Sequence, residues 1–167
     1  MNEGDLEVLL LKFLRGRFPK LDVRPRQALR YGAGASIRQE FKVDILLQDP
    51  PSSPRVAIEL KAGGINTHDL LAYSAKANLH RALCGFLRYG IFVAGDRSRG
   101  VTAKYLWHGH EFDFMFGCKG DRPTSRDLKK LEEIVAYEVA ISRKLEKWVN
   151  QKRGPYPSLL WRKATIG

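Results

Sequence analysis

The amino-acid sequence predicts a single α/β domain with a mixed central β-sheet and helices on both faces. The chain has 167 residues, a length that suits one compact domain. Hydrophobic residues make up 44% of the chain, which is enough to form a buried core. Segments with helical spacing of apolar residues alternate with segments of strand-like spacing, and the sequence contains no internal repeat. These observations favour one α/β unit over a repeat protein or a disordered chain.

The first predicted element is an amphipathic helix. Apolar residues recur at spacings of three and four between Leu6 and Leu14, so they share one helical face. Pro19 ends this helix, because proline cannot donate the backbone hydrogen bond that a helix needs. We expect a basic loop after it. The arginines of that loop are Arg24, Arg26 and Arg30.

Two neighbouring strands are predicted next, over residues 37–47 and 56–61. In the first, Phe41, Val43 and Ile45 alternate with polar residues, which is the period of two of a half-buried strand. The stretch from 49 to 54 contains three prolines and two serines, so we expect a turn there. In the second strand, Glu59 and Lys61 lie on one face and the residue between them on the other.

The second half of the chain is expected to add two helices and two strands. Asn66 can cap a helix that runs to about Leu87, with Asp69 completing the capping box. Residues 89–94 predict a buried strand, and another is expected around 112–116. Thr124 or Ser125 begins a long helix. The predicted domain thus has a core over about residues 5–116, a C-terminal helix over about 124–150 and an irregular tail over 154–167.

Charge and cysteine content limit the classes of function. Lys and Arg number 29 against 18 Asp and Glu, a net charge of +11, which favours a polyanionic partner. Cys84 and Cys118 are too few for a disulfide scaffold, so we expect an intracellular protein, cytoplasmic or nucleoid-associated, with reduced thiols. The N-terminus lacks the pattern of a secretory signal, and no apolar run approaches the ~20 residues that span a bilayer. We therefore expect no membrane association.

The chemically informative feature is Asp44 on the first strand followed by Glu59-Leu60-Lys61 on the second. If the polar faces of both strands point the same way, two carboxylates and an ammonium converge. Buried carboxylates need a cation, and oxygen ligands with room for water suit Mg²⁺ or Mn²⁺. Leu60 could add its backbone carbonyl as a metal ligand. A salt-bridged surface hairpin without catalysis would show the same residues.

These residue types suit the hydrolysis of phosphodiester bonds. A carboxylate pair can hold a metal ion against a phosphate oxygen, and the ion lowers the pKa of its bound water. A lysine on the same strand face can orient that water and stabilise the charge that develops at phosphorus.

With these residues in place, the sequence resembles the PD-(D/E)XK nuclease superfamily, which has the restriction-endonuclease-like fold. The resemblance lies in Val43-Asp44, in Glu59-Leu60-Lys61 and in the glycines and helix that follow, and it covers roughly residues 5–95. Val43 stands where the family usually has proline. The resemblance implies an αβββαβ core, metal binding by Asp44 and Glu59, and assistance to the nucleophile by Lys61.

The resemblance also suggests residues beyond the motif. Many members use an acidic residue from the first helix, and Glu7 fits that role, with Glu40 as a rival on the strand face of Asp44. Basic residues in loops and on the helix after the motif are candidates for contacts with phosphate. These are Arg24, Arg26, Arg30, Arg38, Lys76, Arg97 and Arg99.

The sequence predicts a Mg²⁺-dependent endonuclease that cuts DNA. It would be either a structure-specific enzyme, of the junction or repair type, or a restriction enzyme. A homodimer would be compatible with the small size. The alternative is a non-catalytic nucleic-acid-binding module with a degenerate nuclease-like fold. A third hypothesis is a protein-interaction module of a larger complex.

Overall fold

The computed structural model describes residues 1–29, 41–95, 107–109 and 111–150. Within these ranges three helices and five strands follow one another along the chain. In order they are α1 (Glu3–Arg17), β1 (Asp22–Ala28), β2 (Lys42–Asp49), β3 (Ser53–Ala62), α2 (Thr67–Leu83), β4 (Arg88–Ala94), β5 (Phe114–Cys118) and α3 (Ser125–Asn150).

The five strands form one mixed sheet in the order β1-β2-β3-β4-β5. β1, β2 and β3 are antiparallel neighbours, whereas β4 lies parallel to both β3 and β5. A short turn is enough between antiparallel strands, and the prolines at 50 and 51 lie in the one between β2 and β3. The parallel step from β3 to β4 requires a crossover, which α2 supplies. The predicted α/β class and mixed sheet are confirmed.

The largest departure from the sequence prediction is β1. We expected Arg24 and Arg26 in a basic loop, which is wrong, because residues 22–28 pair with β2, with Val23 opposite Leu47. β1 lies at the end of the strand order, where a strand needs hydrogen bonds on one side only. Such a strand tolerates Pro25 and charged side chains, so it shows no clear apolar alternation.

Several element boundaries also differ from the prediction. β2 begins at Lys42, and residues 37–40 of the predicted strand lie outside the described residues. α2 ends at Leu83 and not near Leu87, because the backbone of the cap residue Cys84 leaves the helical conformation (φ −132°, ψ 86°). Its N–H makes the last helical hydrogen bond, to the His80 carbonyl at 3.1 Å. β3 begins at Ser53, earlier than expected, and β5 begins at Phe114, later than expected.

The helix caps follow the side chains that the sequence offers. Asn66 accepts a hydrogen bond from the Asp69 backbone at 2.8 Å, which confirms the predicted capping box of α2. For α3, the Asp127 backbone donates to the Thr124 hydroxyl at 3.2 Å, so Thr124 and not Ser125 supplies the cap. Because each cap satisfies orphan backbone donors, it is worth about 0.5–2 kcal/mol of stability.

Helices cover both faces of the sheet, as predicted. α1 and α3 pack on one face, where Leu10 and Leu131 join Ile58 in a fully buried cluster. α2 packs on the other face through Leu70, which contacts a cluster that includes Ala57. Because side chains alternate along β3, Glu59 points to the α2 side with Ala57. In the part of the chain described here, no helix is long and apolar enough to cross a membrane.

Candidate active site

The two carboxylates singled out in the sequence lie on adjacent strands. Ile45 pairs with Ile58 in the β2–β3 register, so the next position along places Asp44 opposite Glu59. Oδ2 of Asp44 accepts the backbone N–H of Leu60 at 2.8 Å, which fixes the aspartate at the end of the paired region. The structure therefore brings Asp44 and Glu59 together.

Glu59 is the most deeply buried member of the site, with 1% of its surface exposed. Its Oε1 accepts a hydrogen bond from the Tyr89 hydroxyl and lies 2.8 Å from Nζ of Lys76. Burial raises the Glu59 pKa to about 7, because a charged carboxyl is costly away from water. Lys76 opposes this increase, whereas the negative charge of Asp44 adds to it. Near neutral pH, Glu59 is poised between its two protonation states.

The partners of Glu59 come from elements that the sequence alone does not connect. Tyr89 reaches it from β4, which runs parallel to β3 with Ile91 beside Glu59. Lys76 reaches it from α2, where it shares a helical face with Tyr73. Nζ of Lys76 lies 5.9 Å from the centre of the Tyr73 ring. Burial and the charge of Glu59 raise the pKa of the Tyr73 hydroxyl, so this phenol stays protonated.

Lys61 lies at the end of β3, and its contacts differ from the sequence prediction. Its Nζ is 3.4 Å from Oε1 of Glu3 and 3.7 Å from Oδ2 of Asp69. These acids belong to the first turns of α1 and α2, so the lysine bridges the two helix N-termini. The side chain is 25% exposed, so part of it is accessible to solvent.

Glu7 and Leu60 were predicted to complete the metal site. Oε2 of Glu7 lies 3.1 Å from Nε of Arg26 on β1, and the acid of α1 that contacts Lys61 is Glu3. The contact described for Leu60 is the one through its N–H to Asp44, so a metal-binding role for its carbonyl stays a prediction. Glu40, the rival acid, lies outside the described residues.

The donor set limits which metal the site could hold. Among the described residues, no group of three or more His, Cys, Asp or Glu side chains is arranged for metal binding. The hydrogen bonds described engage Oδ2 of Asp44 and Oε1 of Glu59, which is one oxygen of each carboxylate. Two carboxylate oxygens completed by water suit Mg²⁺, which often keeps several waters. A structural zinc site would need four protein ligands of other types.

Of the candidate phosphate-binding residues, the three that the structure describes lie on two elements, β1 and α2. Arg24 and Arg26 are exposed side chains of β1, paired with Asp22 at 2.6 Å and with Glu7. Lys76 is directed at Glu59, so it is part of the carboxylate site in this structure. Four of the predicted residues lie outside the described part of the chain. They are Arg30, Arg38, Arg97 and Arg99.

Sequence reasoning missed three participants of the site. Glu3 and Tyr89 were not considered, and Lys76 was assigned to phosphate alone. Helical spacing in α2 places Lys76 on the face of Tyr73, but its contact with Glu59 depends on how α2 packs on the sheet. No local signal indicates Tyr89, because its contact with Glu59 depends on the β3–β4 register.

A second buried ionic cluster lies away from the carboxylate pair. Arg88 at the start of β4 contacts Asp113 at 2.9 Å and Glu138 of α3 at 2.6 Å. Arg81 of α2 also lies beside Asp113, at 3.5 Å. All four side chains are buried, so the cluster ties both helical layers to the sheet.

Comparison with protein-family models, with curated proteins and with solved structures found no match to this chain. The function can therefore be inferred only from the residues themselves, above all from the pairing of Asp44 with Glu59 and the lysines around them.

Proposed function

We propose that the protein is a metal-dependent endonuclease that hydrolyses DNA phosphodiester bonds with Mg²⁺ or Mn²⁺. The observation that carries this proposal is the pair of carboxylates, Asp44 and Glu59, on one sheet face and next to lysine side chains. Two acidic groups held this close repel each other unless a cation lies between them. The net charge of +11 supports a polyanionic substrate. A site of this kind belongs to the chemistry of the PD-(D/E)XK superfamily, which the motif resembles.

In the proposed mechanism, Asp44 near the start of β2 and Glu59 near the end of β3 would hold the cation. When bound, that ion activates a water molecule and offsets negative charge on the phosphate oxygens. Leu60 keeps Asp44 in position through its N–H, and Tyr89 keeps Glu59 in position through its hydroxyl. Lys61, partly exposed between Glu3 and Asp69, stabilises the charge that develops at phosphorus.

One observation favours the alternative of a non-catalytic nucleic-acid-binding module. Glu59 already has a cationic partner in Lys76, and Lys61 has two acidic partners. A site that satisfies its own charges can be purely structural. In that case the basic surface would bind nucleic acid, and the carboxylate pair would only stabilise the fold.

Cleavage assays separate the two functions. The protein is incubated with duplex, single-stranded, flap and four-way-junction DNA in Mg²⁺, in Mn²⁺ and in EDTA. The nuclease proposal expects cleavage only with metal, and a loss of at least about 10²-fold in single-turnover rate for Glu59→Gln and Asp44→Asn. Glu132→Gln, a change of the same type on α3, should cut at the parental rate, because Glu132 pairs with Arg17 away from the site.

Three results would argue against the nuclease. They are cleavage in EDTA, parental cleavage by Glu59→Gln, and no cleavage of any substrate by the parental protein. If the last were accompanied by DNA binding that weakens with salt, the binding module would be favoured. The substrate that is cut fastest would distinguish a junction or repair enzyme from a restriction enzyme.

A further inference from the structure

The lysine in contact with the buried glutamate is not the lysine of the sequence motif. Nζ of Lys76 lies 2.8 Å from Oε1 of Glu59, and the Lys76 side chain is 15% exposed. Nζ of Lys61 instead lies near Glu3 and Asp69, on the N-terminal turns of the two helices. The chain thus supplies its own counter-ion to Glu59, from the third turn of α2, the helix that packs on this face of the sheet.

We propose that Lys76 competes with the metal ion for Glu59. The Lys76 ammonium neutralises the carboxylate until a divalent cation displaces it, and the displaced ammonium is then available to a phosphate of the substrate. This inference rests on the proposed function, because it assigns Glu59 to the metal. It adds a second lysine to the site, with a role that the Glu59-Leu60-Lys61 motif does not describe.

The physical reason is that a metal ion and an ammonium on one buried carboxylate repel each other, even if they contact different oxygens. Oε1 of Glu59 already accepts the Tyr89 hydroxyl and the Lys76 ammonium. A divalent cation on the same carboxylate would lie within a few ångströms of Nζ, in a region shielded from water where like charges repel strongly. Metal binding therefore weakens the Lys76–Glu59 contact and favours the release of the ammonium.

Lys76 has a position to which it can move. Its Nζ lies 5.9 Å from the centre of the Tyr73 ring, close to the ~6 Å limit of a cation–π contact. Lysine carries its charge on a flexible four-carbon stem, so the ammonium can turn towards this ring or towards solvent. Burial, and after it the charges of Glu59, Asp44, Glu3 and Asp69, raise the pKa of the Tyr73 hydroxyl, so these acids lie within electrostatic range of it.

The test is direct metal binding without any substrate. Mn²⁺ is titrated calorimetrically into the parental protein, Lys76→Met, Lys76→Arg and Lys61→Met. Affinities are compared at the high-pH limit, where they no longer change with pH. Circular dichroism and melting temperature establish that each variant is folded. Lys61→Met is the matched control, because it removes the same charge from the same site without touching Glu59.

We expect Lys76→Met to bind Mn²⁺ at least about tenfold more tightly than the parental protein, since the metal no longer has to displace a charged hydrogen bond. The gain should exceed that of Lys61→Met, which reports only the loss of a nearby positive charge. Lys76→Arg should bind no more tightly than the parental protein, because guanidinium also pairs with carboxylate.

Equal affinity for Lys76→Met and Lys61→Met would overturn the inference and leave the metal site intact. Weaker binding by Lys76→Met would overturn it as well, since it would show that Lys76 supports the metal. If no variant and not even the parental protein bound Mn²⁺, the proposed metal-dependent function would fail together with the inference.

Discussion

The hydroxyl of Tyr89 offers a sharp test of the charge state of the buried site. It donates to Glu59, whose pKa burial raises to about 7, so the partner is a neutral acid below this pH and a carboxylate above it. A hydrogen bond between neutral groups contributes about 0.5–1.5 kcal/mol, and one to a charged group about 1.5–3 kcal/mol. Tyr89→Phe should therefore cost more stability above pH 7 than below it.

The expected difference can be stated as a pKa shift. Because the hydrogen bond lowers the pKa of Glu59, its loss should raise that pKa further. A difference of about 1 kcal/mol between the two pH regimes corresponds to a rise of about 0.7 pKa units. The sign is fixed, since a group with a raised folded pKa stabilises the protein at low pH and loses that contribution as pH rises through the folded value.

The assay is urea unfolding in EDTA at about pH 5.5 and about pH 8.5, on either side of the Glu59 pKa of about 7. Tyr73→Phe is the control, because it deletes the same atom from a half-buried ring that makes no hydrogen bond described among these residues. Its cost should be the same at both pH values. An equal cost of Tyr89→Phe at the two pH values would refute the reasoning, since it would mean that Glu59 does not change its charge between them.

Three further changes test other parts of the structure. Lys61→Ala should lower single-turnover cleavage about 10²–10³-fold with little change in DNA affinity, and a parental rate from a folded variant would remove Lys61 from the mechanism. Arg88→Met should cost about 3–5 kcal/mol in urea unfolding, because Arg88 is only 6% exposed and its loss leaves Asp113 and Glu138 buried without their main cation. The paired change Arg143→Met, at a side chain 48% exposed, should cost at most about 1 kcal/mol, and similar costs for both would contradict the buried-cluster interpretation. Burial lowers the pKa of His80 from 6.5 to about 4, so protons bind the unfolded chain in that window and stability should fall as pH decreases from 6.5 towards 4. In His80→Gln this decrease should be shallower, and an unchanged melting-temperature profile would show that His80 is not the titrating group.

Sequence patterns predicted correctly those features that depend on residues close together in the chain. The capping box of Asn66 and Asp69 involves residues three apart, and it appears in the structure as expected. The alternation through β3 predicted that Glu59 and Lys61 leave the strand on one side, and Glu59 does lie with the α2 layer. Such features depend on backbone geometry alone, so they can be read along the chain.

The predictions of secondary structure were wrong where the position of a segment in the fold matters more than its pattern of apolar residues. β1 was predicted as a loop, because Arg24, Pro25 and Arg26 resemble no strand. Its position at the end of the sheet makes these residues acceptable, and that position is a property of the whole sheet. The early end of α2 is an exception, because Gly85 directly follows the cap residue Cys84 and is a local stop signal that the prediction did not use.

The sequence by itself determined the three described helices, four of the five described strands, the basic charge and the identity of the carboxylate pair. Only the tertiary structure decided how those charges are partnered. The β3–β4 register brings Tyr89 to Glu59, and the packing of α2 on the sheet brings Lys76 to the same oxygen. Lys61 instead pairs with acids in the first turns of two helices. The physical reason is that charge pairing depends on distances of a few ångströms between residues far apart in the chain, and the chain encodes such distances only through its complete packing.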